Sequence, residues 1–326
     1  MRCDGVPEIA LRCYAKINLT LEILGRRDDG YHDLSTIFQA VALHDELQVR
    51  LEPSERVAVD ELRVAGLSVP IEGNLVLRAV EAYRREFGLI GQANLGLHKH
   101  IPIGAGLGGG SSDAAGVLKG LRALTAHGVN GERRPTPGPS RRPQTVCEGW
   151  GNGNGPDQRL VEVAAGLGSD VAFFLGSGTA LGQGRGERLS ALPVPEGWLV
   201  VAKPEAAVST AEAYGLLTAD DFTDGTRTQE CAEALRAGCG LREVASDLYN
   251  GFAAPVERRW PEIRVLRDRL LELGAVNAML SGSGSAVFGI FVEQAGSEAA
   301  AASLGADGIW AVATAPVARG LMINNE

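Results

Sequence analysis

Paired cysteines, a long apolar run and a surplus of positive charge are all missing from this chain of 326 residues. Its five cysteines, Cys3, Cys13, Cys147, Cys231 and Cys239, are scattered, and none stands in a C-x-x-C spacing. The usual zinc and dithiol motifs are therefore excluded. An odd, unpatterned set fits a reducing compartment better than a disulfide scaffold. No segment approaches the length of a membrane span, and the N-terminal stretch lacks the apolar core of a signal peptide. The expected location is the cytoplasm, without membrane association. Lysine and arginine number 31 against 40 aspartates and glutamates, a net charge of −9. That balance argues against nucleic acid as a partner, while leaving room for a local basic pocket. With 45% hydrophobic and 22% charged residues, the chain has the composition of a soluble globular protein, and its length suits two domains.

Glycine, by contrast, is plentiful, and residues 102–115 concentrate it in the run PIGAGLGGGSSDAA. Glycines let the backbone bend and come close to a ligand, and their N–H groups can then point inward. A helix is expected from Ser111 to Leu124, with Val117, Leu118, Leu121 and Leu124 as its apolar stripe. Its first-turn N–H groups add donors and partial positive charge, so the run reads as a phosphate cradle. Ser111 and Ser112 either cap that helix, touch a phosphate oxygen or help hold Mg²⁺. Gly104, Gly106 and Gly109 also fit a dinucleotide pattern. Pro102 separates them from the preceding strand, however, and no strand carries an acidic residue at the required distance. A Walker loop would need a lysine just before the paired serines, and Lys119 comes too late.

Strands are expected over residues 9–24, as a pair across Ser35–Leu51, and over 93–99. Asn74 looks like the cap of a helix that Leu77, Val80, Tyr83 and Phe87 continue and Gly88 ends. From about Thr125 to Gln158 the chain turns rich in Gly, Pro, Asn and Arg and loses periodicity, which predicts a mobile insertion. Arg133, Arg134, Arg141 and Arg142 lie there without interleaved aromatics, and a solvated loop is the favoured reading. A short helix over Leu160–Leu167 delivers Gly168, Ser169 and Asp170, and Gly176–Gly186 reads as a turn between strands. Ser209 and Glu212 form a capping-box pattern. Pro261–Leu273 is amphipathic, and Met279–Phe291 reads as two strands around a second Gly/Ser loop. His98 and His100 make an H-x-H on a strand, but a third metal ligand is not visible in the sequence.

Three ordered stretches resemble the motifs of the GHMP small-molecule kinases. They are residues 15–19 (AKINL), the glycine run at 102–115, and 280–286 (LSGSGSA). The segments 25–32 (GRRDDGYH) and 167–171 (LGSDV) are similar to those members whose acceptor is an alcohol linked to cytidine diphosphate. The resemblance spans nearly the whole chain. It implies an α+β, two-domain GHMP kinase fold with the active site in the cleft between domains. An ATP-binding domain would cover 1–180 and a substrate domain 181–310, with the tail 311–326 able to pack back on the first.

The same resemblance implies the chemistry. ATP with Mg²⁺ would lie on Pro102, Gly104, Ala105, Gly106, Leu107, Gly108, Gly109, Gly110, Ser111 and Ser112, with Ser112 the candidate metal contact. Asp170 would take the proton of the acceptor hydroxyl, and Lys16 would stabilise the developing charge. Read without the family, Asp170 is an ordinary turn or helix cap. Lys16 is different, because a lysine inside an apolar strand needs a partner. Asn18 leaves the strand on the same face as Lys16 and would contact substrate. Tyr31, His32 and Tyr214 would clamp the cytosine, although Tyr31 also suits a half-buried turn, and Phe38 would line the pocket. Thr179 is a further hydroxyl candidate near the phosphates, and Ser281–Ser285 would shape the edge of the site. Asp113, where asparagine is more usual, would add negative charge near the phosphates. The expected partner is a small molecule, and the expected state a monomer or weak homodimer. A kinase for homoserine or a sugar, and a non-catalytic nucleotide-binding relative, stand as alternatives.

Overall fold

The computed structural model describes residues 6–52, 54, 59–67, 70–126, 147–148 and 157–324. Most of the expected insertion, with its four arginines, lies outside the described residues. The first half of the chain builds a sheet from β1 (Glu8–Arg26), β2 (His32–Glu52), β3 (Glu61–Gly66), β4 (Gln92–Lys99), β5 (Cys147–Glu148), β6 (Thr179–Gly184) and β7 (Arg188–Ala191). Four helices belong to this half: α1 (Leu75–Phe87), α2 (Gly109–Ala126), α3 (Gln158–Leu167) and α4 (Ser169–Phe174). The second half supplies β8 (Trp198–Lys203), α5 (Thr210–Gly215), α6 (Thr226–Arg236), β9 (Tyr249–Asn250), α7 (Ala253–Arg259) and α8 (Pro261–Glu272). It continues with β10 (Asn277–Leu280), β11 (Val287–Phe291), α9 (Gln294–Ala306), β12 (Trp310–Thr314) and β13 (Leu321–Ile323).

The residues at the element ends explain where several elements start and stop. Asn74 Oδ1 accepts the Val76 N–H at 3.0 Å and opens α1, and Gly88, at φ +66°, closes it. Ser209 and Glu212 form the expected capping box on α5. The strand pair expected across Ser35–Leu51 is instead the single strand β2. Residues Leu34–Gln39 of β2 pair with β6 and Glu46–Glu52 with β4, while β1 runs along its other edge with three register shifts. One strand that changes partners midway reads in sequence like two. The glycine-heavy stretch expected as a turn contains β6. A Cβ at Gly182 would stand 2.6 Å from the Phe38 ring, so the glycine admits an aromatic side chain against the strand.

The nine-stranded sheet runs β13-β1-β2-β6-β7-β5, with β4 beside β2, β3 beside β4 and β9 beside β1; the second sheet runs β10-β11-β8-β12. A boundary at residue 180 would cut β6, because sheet membership changes only after β7. In the tail, β12 belongs to the second sheet and β13 returns to the first. One core packs α1 to α4 on the large sheet, and another packs α8 and α9 on the small one. A third core joins the halves, with Ile17, Leu19, Ile37 and Leu107 packed together with Leu199, Val201, Phe288 and Ile290. Among the described residues no helix is long and apolar enough to cross a membrane.

Candidate active site

Between β13, which pairs with residues 11–13 of β1, and β9, which pairs with 20–21, one edge of β1 is left open. The glycine loop fills that gap. The Lys16 N–H donates to Leu107 O at 2.9 Å, so the loop takes the place of a neighbouring strand. Gly104, Gly106 and Gly108 hold φ of +62°, +75° and +71° along it. From the other half, the Ala286 N–H donates to Ala105 O at 3.1 Å, and Ser281 Oγ donates to Gly106 O at 3.2 Å. A Cβ at Gly106 would lie 2.1 Å from Ser281 O, so only glycine permits this approach. The loop then runs into α2, whose Ala115, Val117, Leu118 and Leu121 are buried.

Lys16 and Asn18 alternate with Ala15, Ile17 and Leu19, which belong to the shared core. The lysine ammonium donates to Asn18 Oδ1 at 2.8 Å, Asn18 Nδ2 donates to Thr36 Oγ1 at 2.8 Å, and Thr36 Oγ1 donates to Thr20 O at 2.6 Å. Asp170 arrives from the first turn of α4, with Oδ2 3.7 Å from Lys16 Nζ. The α4 N-cap is Gly168, without a side-chain capping bond. Lys16 is buried, whereas the Asp170 side chain keeps 34% of its exposure and faces the cavity. Burial lowers the lysine pKa below its usual value, and Asp170 opposes that shift.

These groups line one cavity of about 1060 Å³. At its glycine end the walls are Leu75, Leu97, Ile101, Pro102, Ile103 and the run Gly104–Ser111. Lys16, Asn18, Thr36, Phe38 and Asp170 follow, and then Tyr31, His32, Arg185, Tyr214 and Phe252. The His32 and Tyr214 rings stack at 4.9 Å and 27°, and Phe252 meets Tyr214 edge-on at 4.9 Å. Burial pushes the Tyr214 hydroxyl up to about 12, with Asp170 adding to the shift. Burial also lowers the His32 pKa, with Arg26 adding to it, which favours a neutral ring. Tyr31, 57% exposed, lies at the mouth with the Arg185 guanidinium 5.0 Å over its ring.

Two expected residues fall elsewhere. Thr179 is buried in β6 and donates to Gln39 Oε1 at 2.7 Å, away from the cavity. Ser112 does not reach the cavity surface either; its Oγ is buried without a hydrogen-bond partner, and Ser111 is the serine that lines the wall.

The sequence reading missed Lys99 and Asp45. Lys99 occupies an inward position of β4, after Ala93, Leu95 and Leu97, and its ammonium donates to Asp45 and, at 2.7 Å, to Asp113 Oδ2. Asp45 Oδ1 accepts the His100 and Ile101 N–H groups at 2.5 and 2.8 Å, which fixes the chain just before the glycine loop. Asp113 therefore meets a cation, and both Lys99 and Asp113 line the cavity beside the glycine loop. Burial opposes the charge on Lys99, but Asp113 and Asp45 outweigh it and raise its pKa. Burial also pushes the Asp113 carboxyl up to about 7, opposed by Lys99 and helped by Asp45. The signal for Lys99 was the one that singled out Lys16, a lysine on the apolar face of a strand.

One cavity thus joins the glycine-rich loop and the start of α2 to a lysine–carboxylate pair. The profile of the GHMP kinases N-terminal domain matches residues 74–134, and that of the GHMP kinases C-terminal domain matches 232–309. The 4-diphosphocytidyl-2-C-methyl-D-erythritol kinase of Moorella thermoacetica is 41% identical over 290 residues, covering 86% of this chain and 90% of its own. The enzyme of the same name from Gloeobacter violaceus is 36% identical over 301 residues, 91% of this chain and 90% of its own. A crystal structure of 4-(cytidine 5′-diphospho)-2C-methyl-D-erythritol kinase superposes with a TM-score of 0.74 at 33% identity, covering 94% of this chain and 99% of that one. Homoserine kinase from Cytophaga hutchinsonii, at 16% identity and a TM-score of 0.66, shares the fold alone. The chain belongs to the GHMP kinases and is a small-molecule phosphotransferase of their two-domain fold.

Proposed function

We propose that this kinase transfers the γ-phosphate of ATP to the 2-hydroxyl of 4-diphosphocytidyl-2-C-methyl-D-erythritol, a step of non-mevalonate isoprenoid precursor synthesis. One observation carries the reading: a single cavity runs from the glycine loop, past Lys16 and Asp170, to the stacked His32 and Tyr214. Its volume, about 1060 Å³, suits two nucleotide-sized ligands meeting end to end. The adenine end of ATP packs on Leu75, Leu97, Ile101 and Ile103. Its phosphates lie on the backbone N–H groups of the loop and the first turn of α2.

The cytosine takes the aromatic end, against Tyr214 and His32 with Tyr31 at the rim. The acceptor hydroxyl then lies by Asp170, whose carboxylate accepts its proton as the oxygen attacks the γ-phosphorus and ADP departs. Lys16 stabilises charge on the transferred group, and Asn18, held by Thr36, fixes the lysine. Ser111 and Asp170 offer the hard oxygen donors Mg²⁺ prefers, and the partnerless Ser112 Oγ lies in the same helical turn as Ser111. When bound with ATP, Mg²⁺ neutralises phosphate charge.

A coupled ADP-release assay decides the acceptor. Turnover is expected with the cytidyl substrate and not with homoserine, mevalonate or galactose; the reverse pattern would sink the proposal. Asp170→Asn should lower kcat by about 10²–10⁴ with ATP affinity nearly unchanged, and near-normal kcat would remove Asp170 from its role. Tyr214→Ala should raise KM for the cytidyl substrate about tenfold or more and leave KM for ATP alone.

A further inference from the structure

Outside the nucleotide cavity, the strands bring together three metal-ligating side chains. His98 and His100 stand two residues apart at the end of β4, and their rings lie 4.3 Å apart at 48°. Glu46 is the partner of His98 across the β2–β4 ladder. One ring nitrogen from each histidine and one carboxylate oxygen of Glu46 all lie within 4.8 Å of one another. All three side chains are exposed, none makes an ion pair among the described residues, and none lines the cavity. Arg12, the neighbour of Glu46 on β1, is exposed and makes no ion pair with it.

We propose that Glu46, His98 and His100 form a surface site for a borderline transition-metal dication of the Zn²⁺ class, with water completing its shell. Two imidazole nitrogens and one carboxylate oxygen are the donors that Zn²⁺, Ni²⁺ and Cu²⁺ take, whereas Mg²⁺ and Ca²⁺ call for oxygen alone. Around zinc at about 2.0–2.2 Å, neighbouring donors stand about 3–4 Å apart. The present set, within 4.8 Å and on exposed side chains, lies near that spacing. The spacing of the two histidines was visible in the sequence. The third ligand became visible only when the ladder set Glu46 beside them.

The site lies back to back with a structural cluster. Lys99 points inward between the two histidines, to Asp45 and Asp113, and Asp45 precedes Glu46 on β2. A metal there would tie β4 to β2 where the chain leaves for the glycine loop.

The test is calorimetric titration of the full chain with Zn²⁺, in excess Mg²⁺ and without nucleotide. One saturable site is expected. His98→Ala and His100→Ala should each weaken it by more than about tenfold. Glu46→Gln should weaken it too, and His44→Ala, outside the cluster, should not. With Cu²⁺ as probe, electron paramagnetic resonance should show two coordinated nitrogens, and the variants should lose them. Absence of saturable binding, or equal affinity in either histidine variant, overturns the site. Equal affinity in Glu46→Gln overturns the three-ligand assignment. Melting temperatures of the metal-free variants should match that of the parent, which separates lost ligation from lost folding.

Discussion

Two carboxylates and one ammonium share the buried cluster of Asp45, Lys99 and Asp113, so one negative charge is left over. Asp113 carries the consequence, since Oδ1 has no partner and its carboxyl is pushed up to about 7 from 3.8. The fold thus binds that proton more tightly than the unfolded chain does. The group's contribution to stability is complete below about pH 4 and is lost as the pH rises through about 7. Asparagine cannot ionise. Asp113→Asn should therefore gain in melting temperature relative to the parent between about pH 4 and about pH 7, after which the difference between the two should stay constant. A difference that does not change with pH would refute the raised pKa. At this scale the sequence was partly legible. Lys16 declared itself as a charge in an apolar strand, and Asp113 as an acid directly after the glycine run and paired serines. The neutralising partner of Asp113, Lys99, and the competing carboxylate, Asp45, were hidden because they come from two other elements, β4 and β2.

The glycine loop shows what a single element can and cannot reveal. Its shape is written in its own residues, since positive φ and a following helix are local properties. Its tether is not. Leu107 is held by β1 and Ala105 by the second Gly/Ser loop, both far away in sequence. Gly106→Ala sets a Cβ against Ser281 O and strains φ, so it should raise KM for ATP at least about tenfold while the far-UV spectrum stays native. Unchanged ATP kinetics would show that the contact between the loops yields easily. The long strand β2 makes the same point from the other side. Its hydrophobic pattern is continuous, but it serves β6 at one end and β4 at the other. Periodicity records burial and not which neighbour provides it.

For the whole molecule, the comparison of halves matters more than any boundary between them. β13 returns to the first sheet, and Ile17, Leu107, Val201 and Phe288 belong to one core. Such halves should unfold together. Three of the four tryptophans, Trp198, Trp260 and Trp310, follow β7, so tryptophan fluorescence reports chiefly on the second half, and far-UV circular dichroism reports on both. In urea the two signals should trace one transition with a common midpoint; separated midpoints would show halves that stand alone. Two-domain composition was legible in the length and motifs of the chain. The interlock was not, because it depends on a tail and a loop packing far from their sequence neighbours.

The double fastening of the glycine loop also bears on traffic through the enzyme. With Leu107 bonded to one half and Ala105 to the other, the halves cannot part at this point without breaking one of these hydrogen bonds. Two of the residues that line the cavity reach solvent, Ile103 at 50% exposure beside the glycine loop and Tyr31 at 57% beside the stacked rings. With the ligands placed as proposed, spent nucleotide would leave past the isoleucine and phosphorylated product past the tyrosine, so neither would have to wait for the other.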